Sequence, residues 1–275
     1  MAKIHKYTDY DLVSRSQVDP TTALANSDGL LIGRGAIRGA SVVHKFGRNP
    51  DVPNGTWEGV LQAAAQFPWL TAAIEVRIKA SGDENDDGTS SPLGTGAWSV
   101  TIQGLDATGA FVQETVATKG ASASEPTTTK FLRVFRAWVA TAGAYGGSNT
   151  AAIVIETTGG TALIQITAAE SQTQFCGYTI PLGKVAYLVS VMVQCDAAKA
   201  ADFRLFTRAN CTTTTAPFTA KRLKYYWDGV FGQVLVKPVT PLLVLPALTD
   251  IWIEASGGGA GTEVAANMEL IVFDA

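Results

Sequence analysis

The sequence predicts an all-β chain: two antiparallel β-sandwich domains of jelly-roll-like type, preceded by an extended N-terminal arm. Three observations carry this. From about residue 70 onward, apolar and polar residues alternate in short runs. Clusters of Gly, Ser, Thr and Pro separate those runs, with no long helical period between them. Before them, Asp19-Pro20, Asp28-Gly29, Gly33, Gly35, Gly39, Gly47 and Asn49-Pro50 interrupt the chain at short intervals. The expected boundaries are an arm and docking strap over residues 1–57, a first sandwich over 58–168 and a second over 169–275.

In the arm, HKFGRNPDVPNGTWEG (residues 44–59) has no hydrophobic period and reads as neither an ordinary helix nor a strand. TWEGVLQAAAQ, which follows from residue 56, is the best helix candidate, because Trp57, Val60, Leu61 and Ala64 recur at helical spacing; Gly59 and Pro68 weaken it. In TAAIEVRIKA, Ile74, Val76 and Ile78 fall on one face of a strand, with Glu75, Arg77 and Lys79 on the other. AWSVTIQG and FVQETVAT form a hairpin across a turn at Gly104 to Gly109, with Trp98, Val100 and Ile102 inward. KFLRVFRAWVAT, AAIVIETT and ALIQITA complete the first sandwich.

The second sandwich begins with QFCGYTI and KVAYLVSVMVQC. They flank Pro181-Leu182-Gly183, where Pro suits position i+1 of a type I turn and Gly suits i+3. DFRLFTRA, RLKYYWDG, FGQVLVKP, TPLLVLP, TDIWIEAS and ANMELIVFDA supply the remaining strands. Pro238, Pro241 and Pro246 mark edges or bends, since proline cannot donate to a ladder.

At 275 residues the chain is long enough for two domains with cores of their own. Charged residues make up 16%, against roughly 25% in an average soluble protein. A surface so poor in charge predicts an oligomer. The net charge of −3 offers no general attraction for nucleic acid or an anionic membrane. Residues 1–50 hold seven Lys/Arg and four Asp, hence +3, which leaves −6 for the rest and suits an arm that docks on an acidic neighbour. MAKIHKYTDYDLV has no apolar segment of a secretory signal, which predicts a chain made in a cytoplasm and soluble there. Cys176, Cys195 and Cys211 lack paired spacing and read as small buried hydrophobes.

His5 and His44 are the only histidines, and no nucleophile elbow, HExxH, P-loop or paired-Cys motif occurs, so neither an enzyme nor a cofactor is expected. GRGAIRG (33–39) has glycine spacing unlike a dinucleotide loop and reads as flexible backbone. Asp83-x-Asn85-x-Asp87-Gly88 matches the first six positions of an EF-hand loop, but Gly94 stands where the bidentate Glu belongs. The favoured reading is therefore a solvated acidic hairpin tip and no metal site; a calcium site, the alternative, needs a substitute ligand such as Asp86 or a partner's carboxylate. Tyr225, Tyr226 and Trp227 beside Lys221, Arg222 and Lys224 could stack single-stranded nucleic acid or sugar, but alternation assigns them to an ordinary sandwich strand.

His44 to Asp51, Trp57-x-Gly59 and Phe67-Pro68-Trp69-Leu70 resemble virion structural proteins of tailed bacteriophages, especially those of aquatic hosts. The resemblance continues through GAWSVTIQGLD, TTKFLRVFRAWV, YTIPLGKVAYL and DFRLFTRA, and so covers most of the chain after residue 35. It implies β-sandwich modules on a phage particle, as a capsid cement or decoration protein, with a tail, neck or host-recognition component as the alternative. The implied partners are the major capsid protein or other virion proteins and further copies of the chain, a trimer being favoured. In that setting Arg34, Arg38, His44, Phe46, Arg48 and Trp57 are the expected interface, with Arg48 pairing a carboxylate and Phe46 and Trp57 burying apolar area. A strap sealing the chain's own first sandwich is the other reading of the same residues.

Overall fold

The computed structural model describes residues 37–196, 198–236 and 243–275, together with Ile32 and Gly35. The chain is all-β, and every strand ladder is antiparallel. Among the described residues no helix is long and apolar enough to cross a membrane.

The strands are β1 (Ala40–Val52), β2 (Trp57–Gly59), β3 (Val76–Ala80), β4 (Ala97–Leu105), β5 (Phe111–Ala117), β6 (Arg133–Ala142), β7 (Ile153–Thr157) and β8 (Ala162–Ile166). They continue with β9 (Gly177–Thr179), β10 (Lys184–Cys195), β11 (Ala200–Arg208), β12 (Arg222–Phe231), β13 (Gln233–Val236), β14 (Leu243–Leu245), β15 (Asp250–Gly257) and β16 (Thr262–Asp274). They form two five-stranded and two three-stranded sheets.

Each five-stranded sheet draws strands from both ends of the chain. One runs β1-β16-β10-β13, with β14 also on β10; the other runs β12-β11-β15-β2, with β9 also on β15. The pairings nest. With short β9 and β14 set aside, the first strand pairs with the last (β1 with β16), the second with the next to last (β2 with β15), then β10 with β13 and β11 with β12. This is one long antiparallel ribbon folded over on itself and closed by β10 on β16 and β11 on β15. Between its two layers lie Leu188, Val191, Met268 and Leu270 from one sheet and Phe203, Leu205, Ile251 and Ile253 from the other, all buried. At about 25 cal/mol per Å² of apolar area removed from water, this layer is the main favourable contribution to the ribbon's stability.

Strands β3 to β8 lie between the second strand of the ribbon and the third, as sheets β3-β7-β8 and β5-β4-β6. Their inner faces join Val76, Ile78, Val100, Ile102, Ile153 and Ile164 in the same buried cluster. The expected inward positions of β3 are found. In β4 the register shifts at Ser99, which buries Ala97 completely and leaves Trp98 half-exposed, contrary to the uninterrupted alternation expected.

The N-terminal part departs most from expectation. Residues 1–31 of the expected arm lie outside the described residues. Residues 40–59 are not an irregular arm: β1 is a 13-residue strand on β16 and β2 pairs with β15. The boundary expected at residue 57 falls at the start of β2, and both β1 and β2 pair with strands near the C-terminus. TWEGVLQAAAQ is not a helix. It begins as β2, continues to a bridge between Leu61 and Phe175, and turns back so that the Gly59 amide donates to Ala65 O at 2.7 Å. Leu61 and Phe67 are buried, and the Phe67 ring stacks on Phe175 with centroids 4.7 Å apart, so tertiary packing outweighs helical spacing here.

Two smaller corrections concern local geometry. The Pro181 turn closes through Lys184 N to Pro181 O, so Gly183, with φ at +73°, occupies i+2, where a type II turn needs φ above zero. β15 is buried along its whole length rather than on one face, because Trp69, Phe206 and Lys221 cover the side carrying Trp252 and Glu254. Pro238 and Pro241 lie outside the described residues; Pro246 directly follows β14.

Candidate functional site

In β1 side chains alternate between the two faces of the sheet. Lys45, Gly47 and Asn49 point inward and are buried, whereas His44, Phe46 and Arg48 share the outward face. Gly47 is required there because a Cβ would collide with the backbone of Val60 and Cys176. Asn49 reaches Glu58 Oε2 at 3.0 Å and Gly59 O at 3.3 Å, tying β1 to β2.

Four of the six expected interface residues have partners within their own chain. Arg48 Nε pairs with Glu263 Oε1 on β16 at 2.7 Å, which holds the guanidinium pKa above its ordinary value. The His44 and Phe46 rings stack at 6.0 Å. Trp57 lies under the guanidinium of Arg204 at 3.4 Å, and Tyr226 is 6.0 Å from it. Arg38 is exposed in the turn before β1, and Arg34 lies outside the described residues.

Tyr225 and Trp227 stack on one face of β12, partly buried against the core, while Tyr226 is on the other. The acidic loop is built for its own backbone. Asp83 accepts from Asn85 N, Asp87 accepts from the Thr89 and Ser90 amides, and fully buried Asp86 accepts from the amides of Ala97, Thr150 and Ala151. Among the described residues no three His, Cys, Asp or Glu side chains converge as metal ligands.

Two constellations escape sequence reasoning. The first joins the inserted sheets to the ribbon. Asp250 on β15 accepts from Arg133 of β6 at 3.0 Å, from Arg208 of β11 at 2.6 Å and from Thr179 of β9 at 2.7 Å. Trp69 lies 5.2 Å from the Arg133 guanidinium and 4.6 Å from that of Arg208. No local signal links these residues, because they come from four separate strands and a loop.

The second lies where the free edge of β1 faces β4, β5 and β6. A cleft of about 430 Å³ opens there, lined by Lys45, Arg136, Phe111, Phe135, Tyr178 and the side chains around them. Lys45 Nζ donates to Phe135 O, and Arg136 donates to His44 O. Burial, reinforced by the Arg136 charge, pushes the Lys45 ammonium well below the usual lysine range. Burial also raises the neighbouring Cys176 thiol and Tyr178 phenol to about 12. The one available sequence signal is a lysine two residues before a glycine on the inward face of β1, a strand whose pattern is inverted.

No family model matches this chain, and no curated protein does. Among solved structures, that of the infectious bursal disease virus Gx strain is 11% identical over 86% of this chain and 72% of that chain, with a TM-score of 0.24. The T=1 particles derived from infectious bursal virus are 10% identical over 86% of this chain and 74% of that chain, with a TM-score of 0.21. Likeness at these scores carries no argument about fold or function.

Proposed function

We propose that this chain is a structural protein of a virus particle, a cement or decoration protein that docks on the head shell through the outer face of the β1-β16-β10-β14 sheet. One observation carries the reading. Val42, Ile271, Tyr187 and Val244 stand directly opposite one another across four strands, on the face away from the core. Val42 is 51% exposed and Val244 61% exposed, so the row ends in open solvent. A continuous apolar row on an outer sheet face marks an interaction surface rather than scattered surface hydrophobes. The nested ribbon supports the reading as a jelly roll with an inserted sandwich, an architecture shared by viral capsid proteins, lectins and cupins; this support is fold-level analogy. The cleft beside β1 favours a second reading, a host-recognition component of the same particle.

The test replaces Val42 and Val244 together with Asp. Both side chains are exposed, so the variant should keep its β-type circular dichroism while losing self-association in sedimentation and co-sedimentation with isolated particles. Unchanged assembly and particle binding by a folded variant would remove this face from the proposal.

A further inference from the structure

The β1 cleft gathers positive charge without an internal counter-charge. Lys45 is 3% exposed, and each of Lys45 and Arg136 makes its hydrogen bond to a backbone carbonyl. No carboxylate lines the cleft, and among the described residues neither cation forms an ion pair. An ammonium has three donors and a guanidinium five, so one carbonyl each leaves most of their N–H groups without an acceptor among the described residues. A buried ammonium beside a half-buried guanidinium is costly unless an anion joins them. Beside them stand an aromatic wall, in which Phe135 is 6.3 Å from Phe111 and 4.8 Å from Tyr178, and the amides of Gln103 and Gln172. The volume and the position between two packed units are those of ligand sites in general.

We propose that this cleft binds an acidic saccharide, with the sugar carboxylate between Lys45 and Arg136, the ring against Phe111 and the hydroxyls on Gln103 and Gln172. The charges select the carboxylate. The half-exposed Phe111 ring at the mouth offers a flat apolar surface to the C–H face of a sugar ring, and amides can both donate to and accept from its hydroxyls. The inference does not depend on the particle assignment, since it concerns a site rather than an assembly.

The experiment titrates the full chain with sodium glucuronate, glucose, sodium acetate and a short poly-glutamate peptide by calorimetry. Saturable glucuronate binding at least tenfold tighter than that of the other three is expected. Arg136→Gln should weaken it at least tenfold. Phe111→Ala, at a side chain 48% exposed, should weaken it several-fold in a variant whose circular dichroism matches the parent's. Absence of saturable glucuronate binding overturns the proposal. So does acetate binding as tightly as glucuronate, which would indicate a bare anion site, or tighter binding of the peptide, which would indicate a protein partner. Equal glucuronate affinity in folded Arg136→Gln overturns it as well.

Discussion

Arg133 and Asp250 are 117 residues apart in the chain, yet Nε of the one lies 3.0 Å from Oδ1 of the other, with both side chains buried. The same carboxylate also holds Arg208, so one negative charge is shared by two cations at the junction of the inserted sheets and the ribbon. Removing it strands both. Asp250→Ala should cost about 3–5 kcal/mol in urea denaturation, the range for breaking a buried pair on one side. A loss below about 1 kcal/mol would mean that water or relaxation replaces the carboxylate.

Deleting residues 1–57 removes β1 with its ladder on β16, and the first residue of β2, Trp57, with its place opposite Ser256 on β15. The truncated chain should be insoluble or lack a cooperative thermal transition. A soluble product with unaltered circular dichroism would show that the remaining strands fold without this segment.

Gly47→Ala places a Cβ against backbone atoms of Val60 and Cys176, which cannot rotate away. The expected loss is about 3 kcal/mol, the upper end of overpacking costs. Gly159→Ala, whose Cβ would meet nothing nearer than Thr157 Oγ1 at 3.7 Å, is the control and should lie within about 0.5 kcal/mol of the parent.

The burial of Lys45 fixes the sign of a pH effect. Its folded pKa lies below the ordinary value of about 10.4, so between the two the unfolded chain binds the proton that the folded chain lacks, and stability from this group rises with pH. The Cys176 thiol opposes it: with its folded pKa at about 12, its contribution falls as pH climbs above about 8.5, where the unfolded thiol ionises. Lys45→Met should therefore be most favourable relative to the parent at neutral pH, with the advantage shrinking towards pH 10. Urea midpoints measured from pH 7 to 10 decide this; a flat difference assigns the slope to other groups.

The acidic loop should ignore calcium. Asp86 spends its oxygens on three backbone amides, and Asp87 caps the turn that follows. A chelator should leave the melting temperature unchanged. Asp86→Ala should lower stability by several kcal/mol, since hydrogen bonds to a charged group contribute about 1.5–3 kcal/mol each. A rise in melting temperature with calcium would show that the loop rearranges around the ion.

Strand positions were legible wherever inward residues are apolar and outward ones polar, as in β3, β10 and β16, because period-two alternation is a local property of a strand with one buried face. β1 follows the same geometry but carries Lys45, Gly47 and Asn49 inward and Phe46 outward, so its pattern is inverted and its prolines and glycines suggested an arm. What sits at those inward positions is decided by what lies opposite them: the Phe135 carbonyl for Lys45, the Val60 and Cys176 backbone for Gly47, Glu58 for Asn49. The period-two alternation and the turn residues between the runs determined an all-β chain and the approximate place of most strands, and the composition its sparse charge. Only the tertiary structure decided that the first strand pairs with the last, that Arg48 finds Glu263 in its own chain, and that Lys45 and Arg136 meet at a cleft, because contacts between segments more than ninety residues apart are set by how whole sheets pack, which no local period records.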